Sequence, residues 1–130
     1  MGSVFSRIVK GEVPSFRVQE NESFLAFLDI RPVTPGHTLV VTKEEVDHFF
    51  DMEEELLQEI LVFAKPISRA LQQVTGCERV AAVVAGFDVA HAHLHLIPAS
   101  SMSDLDFRNQ ASSTPQELSE MASKIKQALS

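Results

Sequence analysis

Apolar and polar residues recur along the chain with the spacings of both helices and strands. The segment Val4–Gly11 has apolar residues at 4, 5, 8 and 9 and ends on glycine, which predicts a short helix with a glycine cap. Ser15–Gln19 and Ser23–Asp29 are typical of two strands joined by a polar turn. After a loop with two prolines and a glycine, His37–Thr42 is predicted to be extended again.

A long helix is predicted in the middle of the chain. Its apolar positions recur at helical spacing, at Leu56, Ile60, Ala64, Ile67, Leu71 and Val74. Asp51 is expected to cap this helix, with acidic residues in its first turn. Pro66 is expected to kink or split it, because proline cannot donate a backbone hydrogen bond, and Gly76 to end it.

The remaining patterns complete the predicted fold. Arg79–Ala85 is a β-branched, apolar run of the kind found in central strands. Thr114, Pro115 and Glu117 form a helix-start signal, which predicts a C-terminal helix over about 115–129. Together the patterns predict an α+β fold with a mainly antiparallel sheet of about five strands, one long helix and one or two shorter helices. A single domain over residues 1–130 is expected.

Composition narrows the possible partners and compartment. The net charge of -7 argues against nonspecific binding to nucleic acid or anionic membranes, since both need clusters of Lys and Arg. No stretch is long enough for a membrane span and the N-terminus lacks the apolar core of a signal peptide, so we expect a cytoplasmic protein. Cys77, the single cysteine, is expected to be an inert residue near a helix end.

Three of the five histidines, His91, His93 and His95, occupy alternate positions in HAHLHLIPAS. In a strand these rings point to one face and the apolar residues between them to the other. One interpretation is a metal site, in which His37, Asp88 or a distant carboxylate supplies a third ligand. The other is nucleophilic catalysis, in which a neutral imidazole attacks and its neighbours orient it and handle protons.

The segment His91-Ala92-His93-Leu94-His95-Leu96-Ile97 resembles the signature of the histidine triad (HIT) superfamily of nucleotide hydrolases and transferases. Three further segments resemble family motifs: Phe5 to Pro14, Phe27 to Pro32 and Gly36 to Val40. The residues Ala85-Gly86-Phe87-Asp88-Val89 are similar to a bacterial branch with an acidic residue before the triad. The resemblance implies a HIT-like fold and a homodimer whose sheets join edge to edge.

The resemblance also implies roles for individual residues. His93 would attack the α-phosphorus of a nucleotide and form a nucleotidyl-histidine, which water then hydrolyses. His95 would serve as a hydrogen-bond donor or proton source at the phosphate and leaving group, while His91 and His37 complete the supporting network. Asp29 would accept hydrogen bonds from the ribose hydroxyls. The residues expected to enclose a purine are Phe5, Ile8, Phe27, Leu28 and Ile30.

The chain departs from the family pattern at several positions. Ser3 and Ser6 replace the cysteines with which many relatives bind a structural zinc, so no zinc and no other cofactor is expected. Thr42-Lys43-Glu44-Glu45 stands in place of the family's Pro-Lys-x-His segment. Asp88, expected beside the bound nucleotide, would repel a phosphate unless it orients a histidine or favours a cationic leaving group.

Three functions follow from these expectations. The leading hypothesis is hydrolysis or nucleotidyl transfer at the α-phosphate of a purine nucleotide conjugate, which is a phosphoramidate, an acyl-type adenylate or a dinucleoside polyphosphate. The alternative is a purine nucleotide-binding regulatory protein with little or no catalysis, because Phe87 cannot donate a hydrogen bond to a phosphate. A metal-dependent enzyme is the third and is disfavoured by the missing thiolates.

Overall fold

A computed structural model describes residues 2–130. These residues form three α-helices and five strands, with short 3₁₀ turns between them. The helices are α1 (Val4–Val9), α2 (Glu54–Thr75) and α3 (Pro115–Leu129), and the strands are β1 (Arg17–Glu20), β2 (Phe24–Leu28), β3 (Thr38–Thr42), β4 (Arg79–Val83) and β5 (His93–Ala99). The predicted α+β fold is confirmed.

The five strands form one antiparallel sheet in the order β1-β2-β3-β5-β4. The strand that contains two triad histidines, β5, therefore lies inside the sheet between β3 and β4. The prediction that the run from Arg79 belongs to a central strand was wrong, because β4 is at the edge and its residues are mostly half-exposed or exposed. The apolar residues of β4 favour a strand, but they do not require that the strand be buried on both faces.

Strand alternation gives the sheet two different faces. One face packs against α2 and α3 through the larger core cluster, which includes Phe24, Ala26, Leu28, Val40, Leu94 and Leu96. The other face carries a smaller cluster beneath α1, formed by Phe5, Leu25, Phe27, Leu39 and Val41. His93 and His95 alternate with Leu94 and Leu96, so they share the face of the smaller cluster.

Helix α2 begins later than predicted. Asp51 is not its cap, because it belongs to a 3₁₀ turn at Phe49–Asp51, and Glu53 occupies the N-cap position. The helix is not split at Pro66 and runs to Thr75, since its buried stripe against the sheet supports it on both sides of the proline. Gly76 ends it in the left-handed conformation, with φ of 70°, as predicted.

The two shorter helices agree with their sequence signals. Thr114 and Glu117 form a reciprocal capping box at the start of α3, with Pro115 in its first turn. Ser3 caps α1 by accepting a hydrogen bond from the Ser6 amide, and Gly11 follows that helix with a positive φ of 80°. No helix among residues 2–130 has the length and apolar character needed to cross a membrane.

Candidate functional site

Sheet pairing brings three of the four predicted histidines together. His95 lies opposite Leu39 of β3 and Val83 of β4, and His93 lies opposite Val41 of β3. His37 immediately precedes β3, and its ring centroid is 5.1 Å from that of His95. The centroids of His93 and His95 are 4.9 Å apart. The sheet thus places His37, His95 and His93 in a continuous row.

His91 occupies a different position from the other two triad histidines. It lies before β5 begins, and its completely buried ring is turned toward α1 and β3. Its Nε2 is 2.8 Å from the Thr42 carbonyl oxygen and its Nδ1 is 2.7 Å from Ser3 Oγ. Because a carbonyl only accepts, Nε2 holds the proton and Nδ1 accepts from the serine hydroxyl. Both ring nitrogens are engaged away from His93 and His95.

The backbone of His91 fixes the orientation of His93. His93 Nδ1 is 2.6 Å from the His91 carbonyl oxygen. Since the carbonyl can only accept, His93 Nδ1 holds the proton and donates it. The neutral ring therefore has its lone pair on Nε2. This tautomer is the one that a nucleophilic nitrogen at Nε2 requires.

A second chain of hydrogen bonds fixes the His95 tautomer. The Val33 amide donates to His37 Nδ1 at 3.0 Å, so the proton of neutral His37 is on Nε2. That Nε2 lies 2.9 Å from His95 Nδ1 and donates to it. Neutral His95 consequently holds its own proton on Nε2. The network leaves His95 with one N–H group to donate outside the pair.

Burial keeps these rings neutral near pH 7. Desolvation, together with the neighbouring His95 and His93, lowers the pKa of His37 to about 3. Desolvation and His93 together lower the pKa of His95 to about 4. The pKa of His93 is also lowered, chiefly by desolvation, although its hydrogen bond to His91 acts in the opposite direction. A lone pair on His93 is thus available without prior deprotonation.

Asp29 lies beside His37 at the end of β2. Its Oδ1 accepts a hydrogen bond from the Arg31 amide, and its Oδ2 is 3.7 Å from His37 Nε2. Desolvation raises the pKa of its carboxyl group, while the Arg31 amide opposes this shift. One carboxylate oxygen is therefore fixed by the backbone, and the other faces the histidine row.

The residues expected to enclose a purine are only partly brought together. Phe5, Phe27 and Ile8 pack in the smaller cluster, and the Phe5 ring centroid is 5.0 Å from that of His93. Leu28 belongs to the larger core on the opposite face, because neighbouring strand residues alternate between faces. Ile30 follows Asp29 and is 62% exposed. Phe5, Phe27 and Ile8 lie together beside His93, and Leu28 does not join them.

Asp88 lies beside His93 and His95. It lines a cavity of about 290 Å³ together with His93, His95, Ala85, Gly86, Phe87 and Phe107. A second cavity of about 290 Å³ lies near Asp29 and His37, between the 32–37 loop and the start of α3, and includes neither His93 nor His95. Of these two cavities, the one at Asp88 is therefore the one that His93 and His95 line.

One group of side chains could supply metal ligands. Asp29, His37 and His95 have potential ligand atoms within 4.8 Å of one another. However, the His37 and His95 atoms that face each other form the 2.9 Å hydrogen bond described above. A cation there would have to displace the His37 proton and break that bond. The distance between these two nitrogen atoms therefore fits the hydrogen bond that fixes the His95 tautomer.

Comparison with known proteins agrees with this geometry. The HIT domain family model matches residues 10–102. The chain belongs to the histidine triad (HIT) family. A HIT-like protein from Borreliella burgdorferi is 38% identical over 102 residues, which are 73% of each chain. The adenosine 5'-monophosphoramidase of Saccharomyces cerevisiae is 34% identical over 96 residues, covering 73% of this chain and 61% of that protein.

A solved HIT structure shows that the similarity extends over the fold. The zinc-bound histidine triad family protein from Mycobacterium smegmatis superposes with a TM-score of 0.83 and 30% identity. The match covers 97% of this chain and 91% of that chain. The HIT fold therefore includes α3, which lies beyond the family-model match.

The region that would hold the structural zinc of other HIT proteins does not fit the metal. Ser3, Ser6, Glu45 and His91 meet there, and hydroxyl groups are poor zinc ligands. Ser6 Oγ donates to Glu45 Oε1 at 2.8 Å, and the Ser3 amide donates to the same oxygen at 2.6 Å. These bonds lower the pKa of Glu45, with the Ser3 amide as the largest cause. In this HIT protein, hydrogen bonds of Ser3 and Ser6 therefore connect the start of α1 to His91 and Glu45 at the place where relatives bind zinc.

Several residues of the HIT site were not predicted from the sequence. The backbone amide of Val33, the carbonyl of Thr42 and the ring of Phe107 all contact the histidines. No side-chain pattern marks a backbone contact, and Phe107 lies in a short 3₁₀ turn after β5 that no motif of the sequence marked. Glu45 did have a signal, since it stands at the histidine of the family's Pro-Lys-x-His segment. Its partner Ser6 explains why a carboxylate suits that position.

Proposed function

We propose that the chain cleaves purine nucleotide conjugates at the α-phosphate through a covalent nucleotidyl-His93 intermediate. The observation that carries this proposal is the hydrogen bond from His93 Nδ1 to the His91 carbonyl, which leaves the lone pair on Nε2. The similarity to an adenosine 5'-monophosphoramidase supports a nucleoside phosphoramidate as the substrate. Residues 1–130 would act as one HIT domain without a cofactor.

In the first step, the His93 Nε2 lone pair forms a bond to the α-phosphorus. The bond from phosphorus to the leaving-group nitrogen breaks, and its electron pair goes to that nitrogen, which takes a proton from solvent. His93 becomes a cationic nucleotidyl-imidazolium, still donating from Nδ1 to the His91 carbonyl. The rigid hydrogen bond means that no ring reorientation is needed during attack.

His95 would stabilise the phosphate oxygens during this step. Its Nε2–H group faces away from His37, whose own Nε2–H occupies His95 Nδ1. Because the pKa of His95 is lowered to about 4, the ring is neutral near pH 7 and donates a hydrogen bond without giving up the proton. Of the two roles expected for His95, the network favours the hydrogen-bond donor.

In the second step, a water molecule attacks the same phosphorus. The bond between phosphorus and His93 Nε2 breaks, its electron pair returns to Nε2, and the proton of the water passes to solvent. The products are a nucleoside monophosphate and the regenerated neutral histidine. Where an alcohol or another phosphate replaces water, the same step transfers the nucleotidyl group.

The nucleoside would bind on the side of the row that holds Asp29 and the smaller cluster. Asp29 Oδ2 would accept hydrogen bonds from the ribose hydroxyls, since Oδ1 already accepts one from the Arg31 amide. Phe5, Ile8 and Phe27 offer apolar surface to a purine, and the exposed Ile30 could cover it. Leu28 would support this region only from the opposite face.

A second copy of the chain is the proposed protein partner. Among the described residues, β4 pairs with β5 on one side and leaves its other edge without a strand. Two apolar residues on α2, Leu61 and Val62, are 58% and 72% exposed. An unpaired edge and nearby apolar surface suit sheet-to-sheet association. We further propose a cytoplasmic location, with neither nucleic acid nor membrane as a partner.

The proposal is tested by trapping the intermediate. The protein is mixed with adenosine 5'-phosphoramidate, quenched with base within milliseconds to seconds, and digested for mass spectrometry. We expect an adenylyl mass on the peptide that contains His93, and loss of both adduct and turnover in His93→Ala. His48→Ala is the matched control, because His48 is exposed and outside the histidine row. Undiminished turnover in His93→Ala would rule the mechanism out.

A nucleotide-binding protein with little catalysis is the second candidate. It is favoured by the position of Asp88, whose negative charge faces the same cavity as His93 and His95. Calorimetric titration with AMP distinguishes the two candidates when combined with the trapping experiment. Micromolar AMP binding without an adduct from any phosphoramidate would favour the regulatory function.

A further inference from the structure

The cavity at Asp88 combines two kinds of surface. His93 and His95 form the wall nearest the proposed reaction, and Phe87 and Phe107 contribute aromatic rings. Phe87 is 95% exposed, although it is one of the largest apolar side chains. Its neighbour Gly86 has a positive φ of 84°, which turns the chain just before it. The Phe87 ring therefore offers apolar surface at the edge of this cavity.

Phe107 forms the opposite side of this cavity. Its ring lies edge-on to His95, with centroids 5.0 Å apart and an interplanar angle of 80°. It also lies edge-on to His37, at 6.1 Å. The ring therefore packs against the histidine pair that fixes the His95 proton, and it places apolar surface beside the phosphate position. Phe5 instead packs against His93 and His91, at the other end of the histidine row.

Asp88 supplies the charge of the cavity. Its carboxylate has no hydrogen bond or ion pair with any other residue in 2–130, and no Lys or Arg is among the described residues that line the space. Its field acts on both triad histidines, since it opposes the lowering of their pKa values. An uncompensated carboxylate beside an anionic phosphate is unfavourable unless a positive charge on the ligand accompanies it.

We propose that this cavity is the leaving-group subsite and that Asp88 makes it selective for leaving groups with a positive charge. The chemical class is an amine attached to the α-phosphorus through nitrogen, with an apolar or aromatic body and a further ammonium group. The proposal rests on the proposed nucleotidyl-His93 mechanism. Phe87 and Phe107 contact the body of the amine, and Asp88 pairs with its cation.

The same arrangement disfavours anionic leaving groups. A polyphosphate, or a carboxylate without an ammonium group, would meet Asp88 in the cavity with no cation to offset the repulsion. An amine that has left becomes an ammonium ion after taking its proton from solvent, so Asp88 also stabilises the departing product. Among the three substrate classes considered, phosphoramidates of cationic amines are therefore favoured over dinucleoside polyphosphates and over adenylates whose acyl group carries no ammonium.

The test uses three adenosine 5'-phosphoramidates with N-substituents of equal length, which end in an ammonium, a neutral amide or a carboxylate. We expect kcat/KM to fall in that order, with the ammonium substrate preferred over the carboxylate by about tenfold or more at low salt. In Asp88→Asn this preference should shrink by about fivefold or more, and Asp88→Glu should restore most of it.

A matched control separates the local effect from the change in net charge. Glu59→Gln removes the same charge from α2, on the other face of the sheet, and should keep the preference for the ammonium substrate. Equal kcat/KM values for the three substrates, or an unchanged preference in Asp88→Asn, would overturn the subsite alone. No turnover of any of the three and no adduct on His93 would overturn the proposed mechanism together with the subsite.

Discussion

His37 Nε2 lies 2.9 Å from His95 Nδ1, in a buried pair whose outer end is fixed by the Val33 amide. This contact decides which nitrogen of His95 holds its proton. In the proposed mechanism, His37 would therefore act on the phosphate indirectly, as a positioning residue for His95. The hydrogen bond from His93 to the His91 carbonyl likewise fixes the proton of the proposed nucleophile on Nδ1.

Removing the His37 ring should slow the chemical step. In His37→Ala, His95 is no longer held in one tautomer, and we expect kcat to fall about 10-fold to 100-fold with a smaller change in KM. His37→Gln keeps an N–H group for His95 Nδ1 and should recover part of kcat. Steady-state kinetics with adenosine 5'-phosphoramidate provides the measurement. Equal losses in the two variants would contradict the tautomer role.

The buried histidines predict a loss of stability in mild acid. Their folded pKa values are lowered, to about 3 for His37 and about 4 for His95, against about 6.5 in the unfolded chain. Below pH 6.5 the unfolded state binds more protons, so this contribution to stability is complete above that pH and is lost progressively as pH falls through 4 toward 3. We expect a decrease on the order of 5 kcal/mol in the free energy of unfolding, measured by urea denaturation at several pH values.

Replacing both rings provides the control for the acid effect. The double variant His37→Gln with His95→Gln should show a much flatter dependence of unfolding free energy on pH between 6.5 and 4. The raised pKa of Asp29 acts in the opposite direction, because its folded state holds the proton more tightly, and it remains in this variant. A slope as steep as in the unsubstituted protein would show that other groups cause the acid sensitivity.

The Ser3 hydroxyl should stabilise the fold through His91. Ser3→Ala removes the cap of α1 and leaves the buried Nδ1 of His91 with only the more distant Ser6 hydroxyl, at 3.4 Å. We expect a loss of about 2 kcal/mol in the free energy of unfolding. Ser123→Ala, on the exposed side of α3, is the control and should change stability by less than about 0.5 kcal/mol. Similar stabilities for both variants would contradict the role of this hydrogen bond.

Two cysteines at the same place should create a zinc site. In the double variant Ser3→Cys with Ser6→Cys, two thiolates would join His91 Nδ1 and the Glu45 carboxylate, which is a donor set that zinc accepts. After dialysis against micromolar zinc, we expect about one bound zinc per chain by elemental analysis, against little in the unsubstituted protein. Ser101→Cys with Ser103→Cys, in an exposed turn, controls for nonspecific thiol binding. Equal zinc content in the two double variants would refute the site.

Asp29 should determine the preference for ribose. Asp29→Asn retains the shape and the contact with the Arg31 amide but weakens acceptance of the ribose hydroxyls. We expect the preference of kcat/KM for adenosine over 2'-deoxyadenosine phosphoramidate to fall about fivefold or more. Glu22→Gln, in the exposed turn before β2, should leave that preference unchanged. A preference that survives in Asp29→Asn would place ribose recognition elsewhere.

Local signals predicted most of the elements in this chain. The capping box at Thr114 and the glycine at 76 mark helix ends because their physics involves only neighbouring residues. The C-terminal helix over 115–129 was predicted from the same local signals. Asp51 shows the limit of such signals, since an acidic residue near a helix start can equally belong to the preceding turn.

The sequence by itself determined the two faces of the triad strand. A period of two places His93 and His95 opposite Leu94 and Leu96 wherever the strand lies in a sheet. The cluster of imidazoles and the family motifs then indicated nucleotide chemistry. These properties depend on residue order alone, and no distant contact can change them while the strand persists.

Only the tertiary structure decided where protons and charges lie. The His37–His95 contact joins residues 58 positions apart, and the Ser3–His91 contact joins residues 88 apart. Both depend on strand pairing and helix packing, which bring distant residues within hydrogen-bond range. The edge position of β4, the inward turn of the His91 ring and the placement of Phe107 beside Asp88 arise in the same way. The sheet therefore sets the tautomers and surroundings of histidines whose positions were already evident in the chain.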